Sequence, residues 1–184
     1  DEKLIVHTSN FRKVKRVEDV VKIFHNIRKQ IKAKLLMVGD GPERNHIEAL
    51  CRELETCGDV RFLGKLEAVE EVLSVADLFI MPSEKESFGL AALEAMACQV
   101  PVISSNTGGI PELMVDGKTG FMSRVGDVDK MSRDALKILD DENLSYFKSE
   151  ALKRALDFDI EKILPKYEQY YQLIVDKSHK PVAE

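Results

Sequence analysis

Apolar residues fall into two rhythms along this chain. Short runs in which nearly every position is apolar recur at residues 4–8, 34–38, 60–63, 78–81, 101–104 and 119–122. Runs of this length, closed by turn-forming residues, mark strands buried on both faces. Between them the spacing becomes helical. Over residues 17–31 the apolar positions are Val17, Val20, Val21, Ile23, Phe24, Ile27 and Ile31. Over 43–56, Ile47, Leu50, Cys51 and Leu54 share one face, and 69–75, 90–97 and 110–115 are predicted as shorter helices. Alternating strands and helices predict an α/β domain, a doubly wound parallel sheet of Rossmann-like type. In such a sheet ligands sit at the carboxyl ends of the strands.

The last third of the chain reads differently. Residues 128–139, 143–156 and 160–175 are predicted as successive helices, with Asp127 and Asp159 placed as N-caps. They form a helical C-terminal extension. Tyr167, Tyr170 and Tyr171 cluster on the last helix, to pack either onto the sheet or against something outside it. Residues 178–184 read as a frayed tail. The chain runs from Asp1 almost directly into a strand without a start methionine, so it is expected to be part of a larger protein.

Composition narrows the function. The 184 residues are 44% apolar and 32% charged, as in an ordinary globular domain. The net charge of −5, from 27 basic and 32 acidic residues, argues against a nucleic-acid partner across the whole domain. No apolar run approaches the roughly 18–20 residues of a membrane span, and a membrane partner is not expected. Three cysteines, Cys51, Cys57 and Cys98, have no zinc-like spacing and suit a reducing, cytoplasmic setting. Cys98 is expected to pack as a small apolar residue. His7, His25, His46 and His179 are scattered, so no metal site is expected. A homo-oligomer is compatible with all of this.

The chemistry concentrates in S-E-K-E-S-F-G-L-A-A-L-E-A-M-A, residues 83–97. It follows the apolar run 78–81, so Glu86 falls in a strand-to-helix loop and Glu94 about two turns into the next helix. The backbone N–H groups of Phe88, Gly89 and Leu90, with Ser87 before them, open that helix as donors suited to a diphosphate. Gly89 is expected to clear space for a ligand's approach. A carboxylate can accept two bonds from neighbouring sugar hydroxyls. An exposed glutamate is the ordinary state. The helix around Glu94 is nearly all apolar, however, which implies burial and hence a partner for its carboxylate.

Glu86 and Glu94, within P-S-x-x-E-S-F-G-L-x-x-L-E-A-M-A, resemble the E-x7-E motif of family 4 retaining glycosyltransferases with the GT-B fold. The resemblance runs from Leu4 to about Val175. It implies one half of a GT-B fold. Residues 1–184 would be the C-terminal, nucleotide-sugar-binding domain, the N-terminal domain would be absent, and the helix at 160–177 would pack toward it. It implies that Glu86 lies near the donor sugar and that Glu94 binds the ribose. It further implies that the backbone at Leu66, in Phe62-Leu63-Gly64-Lys65-Leu66, meets the base.

Four basic residues crowd into Ser9-Asn10-Phe11-Arg12-Lys13-Val14-Lys15-Arg16, at the end of the first strand. A charge run is usually a solvated loop, but here it sits where anions bind. The family carries a glycine–arginine pair and then a lysine, both cations on the donor diphosphate. Lys15 matches the lysine, Asn10 stands in the arginine's place, and Arg12 is expected to supply the missing charge. The turns Gly39-Asp40-Gly41-Pro42 and Thr107-Gly108-Gly109-Ile110-Pro111-Glu112 also match and are read as supports of the fold.

Within the family, the 9–16 stretch is similar to a bacterial branch that transfers N-acetylglucosamine from UDP-N-acetylglucosamine to L-malate, the first step of bacillithiol biosynthesis. That resemblance implies a UDP-sugar donor and retention at the anomeric carbon. It also implies no cofactor or required metal, and a small anionic acceptor held by the other domain. The isolated chain would then bind nucleotide and not turn over. Two alternatives stay open: a family 4 enzyme with another donor or a lipid or glycan acceptor, and a non-catalytic nucleotide-binding module.

Overall fold

A computed structural model describes residues 2–178. The frayed tail expected at 178–184 lies outside them except for its first residue. Six parallel strands form one sheet: β1 Lys3–Ser9, β2 Ala33–Gly39, β3 Val60–Gly64, β4 Leu78–Met81, β5 Val102–Ser105 and β6 Gly120–Ser123, in the order β3-β2-β1-β4-β5-β6. Eight helices connect and extend them: α1 Val17–Arg28, α2 Arg44–Glu53, α3 Val69–Leu73, α4 Leu90–Ala97, α5 Ile110–Leu113, α6 Val128–Leu139, α7 Asp141–Ala155 and α8 Ile160–Ser178. The doubly wound α/β class is the one expected from the apolar rhythm.

Alternation along the strands splits the core in two. Ile5, Leu35, Met37, Leu78 and Ile80 point to the face covered by α1, α2 and α6. Val6, Val38, Phe79 and Met81 point to the face covered by α3, α4 and α5. Every residue of β4 and β5 is buried; β4 reads as an unbroken apolar run, while β5 ends in two buried serines, Ser104 and Ser105.

Helix ends depart from the periodicity for local reasons. The first helix stops at Arg28 rather than 31, where the chain tightens and the Gln30 N–H reaches the Ile27 carbonyl only three residues back. The second stops at Glu53, where Glu55 takes a left-handed φ of 54°. The seventh begins two residues early, because the Asp140 side chain accepts from the Glu142 N–H and caps it. Asp127 and Asp159 accept from Lys130 and Glu161 N–H groups, the expected capping role. In α8, Tyr167, Tyr170 and Tyr171 are exposed, so these side chains do not pack onto the sheet.

One polar side chain is locked into the sheet itself. Strands β1 and β4 pair only through Ile5↔Leu78 and Val6↔Phe79. Directly beyond, the fully buried His7 bridges the parting strands, its Nδ1 donating to the Ile80 carbonyl at 2.8 Å. A carbonyl can only accept, so Nδ1 carries the proton and Nε2 accepts the Ser9 hydroxyl, also at 2.8 Å. Burial lowers the imidazole pKa from 6.5 to about 4; the Ile80 bond opposes this, and the nearby Lys15 adds to it. The unfolded chain therefore takes up this proton before the folded one does.

Stability from His7 is thus complete above pH 6.5 and falls as the pH drops toward about 4, a loss of about 3 kcal/mol. Asp59, held below its usual value chiefly by the Lys34 ammonium, acts only in more acid solution. Urea denaturation at half-unit pH steps should show that decline, and His7→Gln should reduce the slope between pH 6.5 and 4, leaving the part due to His25, whose pKa burial also lowers.

Candidate active site

The strand order reverses between β1 and β4, and the loops that follow these two strands leave in opposite directions. After β1 the chain passes Asn10 and enters the buried Phe11, whose ring stacks near His7 and meets Phe62 edge-on. The Phe11 carbonyl accepts from the Glu43 N–H, and the 39–42 turn lies against the backbone of Ser9 and Asn10. A 3-10 turn, Lys13–Lys15, then leads into α1. The buried phenylalanine thus pins a loop whose other residues, apart from Val14, are polar or charged.

Two contacts tie that loop to the one after β4. The Glu84 N–H donates to the Val14 carbonyl at 2.8 Å. Lys15 Nζ donates to Glu86 Oε1 at 2.5 Å, an ion pair with both side chains largely withdrawn from water. The buried Ser83 hydroxyl donates to the same carboxylate oxygen at 2.8 Å. Lys15, expected on the donor diphosphate, and Glu86, expected near the donor sugar, therefore meet across the switch point. Arg12 and Asn10 are exposed on the same loop as Lys15, and Arg12 forms no ion pair among the described residues.

The 107–113 segment supports the Glu86 loop from behind. The Gly109 N–H donates to the Ser87 carbonyl, and Thr107 Oγ1 donates to the Glu84 carbonyl. Gly108 has a φ of +55°, and a Cβ there would fall 1.6 Å from the Glu86 carbonyl oxygen. Arg154 completes the support. It donates to the Glu112 and Leu113 carbonyls and lies over Phe158, whose ring meets Phe88 edge-on at 5.5 Å. Arg154, Phe158, Ser83 and His7 were not singled out from the sequence. Ser83 stands three residues before Glu86, a spacing that permits the bond; the others carry no local signal.

Beyond Glu86, the N–H groups of Phe88, Gly89 and Leu90 donate to no other group among the described residues. They remain open donors at the start of α4. Two expectations here are corrected. Gly89 does not clear space for a ligand: it is buried with φ +93°, and a Cβ would fall 2.4 Å from the Ile110 side chain. Glu94 is not buried and has no obligatory partner. It is the fifth residue of α4, little more than one turn in, and shares an exposed stripe with Leu90 and Ala97. A mostly apolar helix still turns one face outward, and Glu94 is on it.

Glu94 lines a cleft of about 310 Å³ between α3 and α4, with Glu67, Val69, Glu70 and Cys98. Leu66 directly precedes Glu67, so the structure brings Glu94 and the Leu66 loop into one region. Cys98 packs partly buried, and burial raises its thiol pKa. A wider cleft of about 450 Å³ lies on the α2 side of the β1 loop. Along its lining Arg16 pairs with Asp19, and Glu18 lies beside His46 and Lys22. Among the described residues no group of three or more His, Cys, Asp or Glu side chains is placed to hold a metal ion. Nor is any helix long and apolar enough to cross a membrane.

Sheet order, switch-point crevice and helical extension define a Rossmann-like fold of the kind seen in GT-B glycosyltransferases. The chain belongs to the glycosyl transferases group 1 family, whose pattern matches residues 1–154. It is 47% identical over 178 residues to N-acetyl-alpha-D-glucosaminyl L-malate synthase of Bacillus anthracis, covering 95% of this chain and 47% of that protein. The chain thus spans about half the length of that curated relative. Sucrose-phosphate synthase from Thermosynechococcus elongatus superposes with a TM-score of 0.85 at 28% identity, over 96% of this chain and 46% of that one. Anabaena HepE, solved with UDP and glucose, has the same fold, with a TM-score of 0.85 at 22% identity over 93% of this chain and 48% of that one.

The loop packing can be tested with two glycines. Gly108→Ala forces both strain and a clash against the Glu86 backbone and should cost roughly 2–3 kcal/mol in chemical denaturation. At Gly58 a Cβ would meet no atom within 4 Å. Gly58→Ala should leave stability unchanged or raise it by about 0.5 kcal/mol.

Proposed function

We propose that this chain is the donor-binding half of a retaining glycosyltransferase that moves N-acetylglucosamine from UDP-N-acetylglucosamine to L-malate. The observation that carries the reading is the Lys15–Glu86 pair across the switch point, beside the open amides of residues 88–90. Similarity to the L-malate synthase supports the sugar and the acceptor, and the UDP bound by HepE supports the nucleotide.

On this reading the diphosphate lies at the start of α4. It accepts from the Phe88, Gly89 and Leu90 amides and faces Lys15 and Arg12, with Ser87 and Asn10 at its edge. Glu94 accepts from the ribose hydroxyls in the α3–α4 cleft, and the Leu66 backbone meets the base. Glu86 faces the sugar, its carboxylate aimed by Lys15 and Ser83. As the bond from the anomeric carbon to the diphosphate breaks, its electron pair moves to the leaving oxygen. Fixed cations and amides stabilise that charge without reorganising. No metal is required in this scheme. The acceptor is bound by a second domain, against which the apolar face of α8 packs, and the reaction is cytoplasmic.

The full-length protein should release UDP from UDP-N-acetylglucosamine only when L-malate is present. Lys15→Ala should lower kcat about 10²–10³-fold, as for loss of one preorganised charge-stabilising donor. Glu94→Ala should raise the donor KM about tenfold with a smaller effect on kcat. Absence of malate-dependent UDP release removes this acceptor assignment, and unchanged transfer in Glu86→Ala and Glu94→Ala removes the donor role altogether.

A further inference from the structure

Between β1 and β4 the main-chain ladder ends at Val6 and Phe79, while both strands continue toward the site. What spans them next is a side chain. His7 donates to Ile80 on β4 through Nδ1 and accepts from Ser9 on its own strand through Nε2, and the Ser9 oxygen in turn accepts from the Phe11 N–H at 3.3 Å. These contacts form one chain from the end of β4 to the residue that pins the β1 loop. The ring is sandwiched, its centroid 6.1 Å from that of Phe11 and 6.5 Å from that of Phe79, at interplanar angles of 24° and 15°.

Past His7 the two strands release the two loops that carry Lys15 and Glu86. We propose that His7 and Ser9 are positioning residues for the donor site: their hydrogen-bonded brace sets how far the β1 and β4 loops part, and so where Lys15 and Glu86 meet the diphosphate and sugar. The brace works only with a neutral imidazole, since an imidazolium could not accept from Ser9. The low pKa keeps the ring neutral throughout the physiological range, and both Lys15 and Glu86 lie near enough to act on its charge. A phenylalanine would fill the same sandwich and leave the Ile80 carbonyl and Ser9 hydroxyl unmatched.

This assignment rests on the donor reading above, and the experiment separates the two. UDP affinity is measured by calorimetry on full-length wild type, Ser9→Ala, His7→Phe and the double variant, with the melting temperature of each. UDP should bind wild type, and Ser9→Ala should weaken it about three- to tenfold with little change in melting temperature. The double variant should bind no worse than His7→Phe alone, because both substitutions break one linked set of bonds. In turnover, Ser9→Ala should raise the donor KM while leaving the acceptor KM within about twofold of wild type. UDP binding unchanged by Ser9→Ala, or donor and acceptor KM shifted alike, overturns the brace and leaves the donor site standing. If wild type does not bind UDP, the donor reading falls and takes the brace with it. Should His7→Phe fail to fold, the two Ser9→Ala readouts decide alone.

Discussion

Two neighbouring strands that must release their chains in opposite directions govern this structure. Right-handed crossovers send the chain after β1 out toward β2 and β3, and the chain after β4 toward β5 and β6. The loops cannot close over each other, so a crevice is left at the carboxyl edge. An open crevice lined by unlike charges would collapse or fill with water unless its walls were fixed. Here they are fixed below by His7, across the mouth by Lys15 and Glu86, and at the side by the Glu84 to Val14 backbone bond.

The walls are held by close approach rather than by many strong bonds. Phe11 anchors one loop in the core, and the 107–109 backbone lies so near Glu86 and Ser87 that no side chain fits between. Arg154 and Phe158 extend that support to the segment leading into α8. Packing of this kind leaves the carboxylate and ammonium little freedom. That is the condition under which fixed charge stabilises a leaving group at no cost in reorganisation.

Much of this was legible in the sequence, for identifiable reasons. Strands buried on both faces leave unbroken apolar runs, so β4 and α4 fall at the boundaries the residues suggest. The charge clusters after β1 and β4 are visible because polar residues there interrupt those runs, and the structure brings Lys15 to Glu86. Glu94 was misjudged because composition says how apolar a helix is and not which stripe faces water. Gly89 was misjudged because its neighbour in space, Ile110, is twenty-one residues away in the chain. His7 looked like one scattered histidine among four, since nothing local reveals that its ring takes over where a strand pairing ends. Arg154 and Phe158 act on a loop more than sixty residues earlier, and no spacing rule reaches that far.

The most direct measurement compares uridine with UDP binding to the full-length protein, in wild type and in Lys15→Ala. If the crevice holds the diphosphate against Lys15, wild type should bind UDP at least tenfold more tightly than uridine. Lys15→Ala should shrink that difference while leaving uridine affinity unchanged. A preference for UDP over uridine that survives intact in Lys15→Ala would contradict the account.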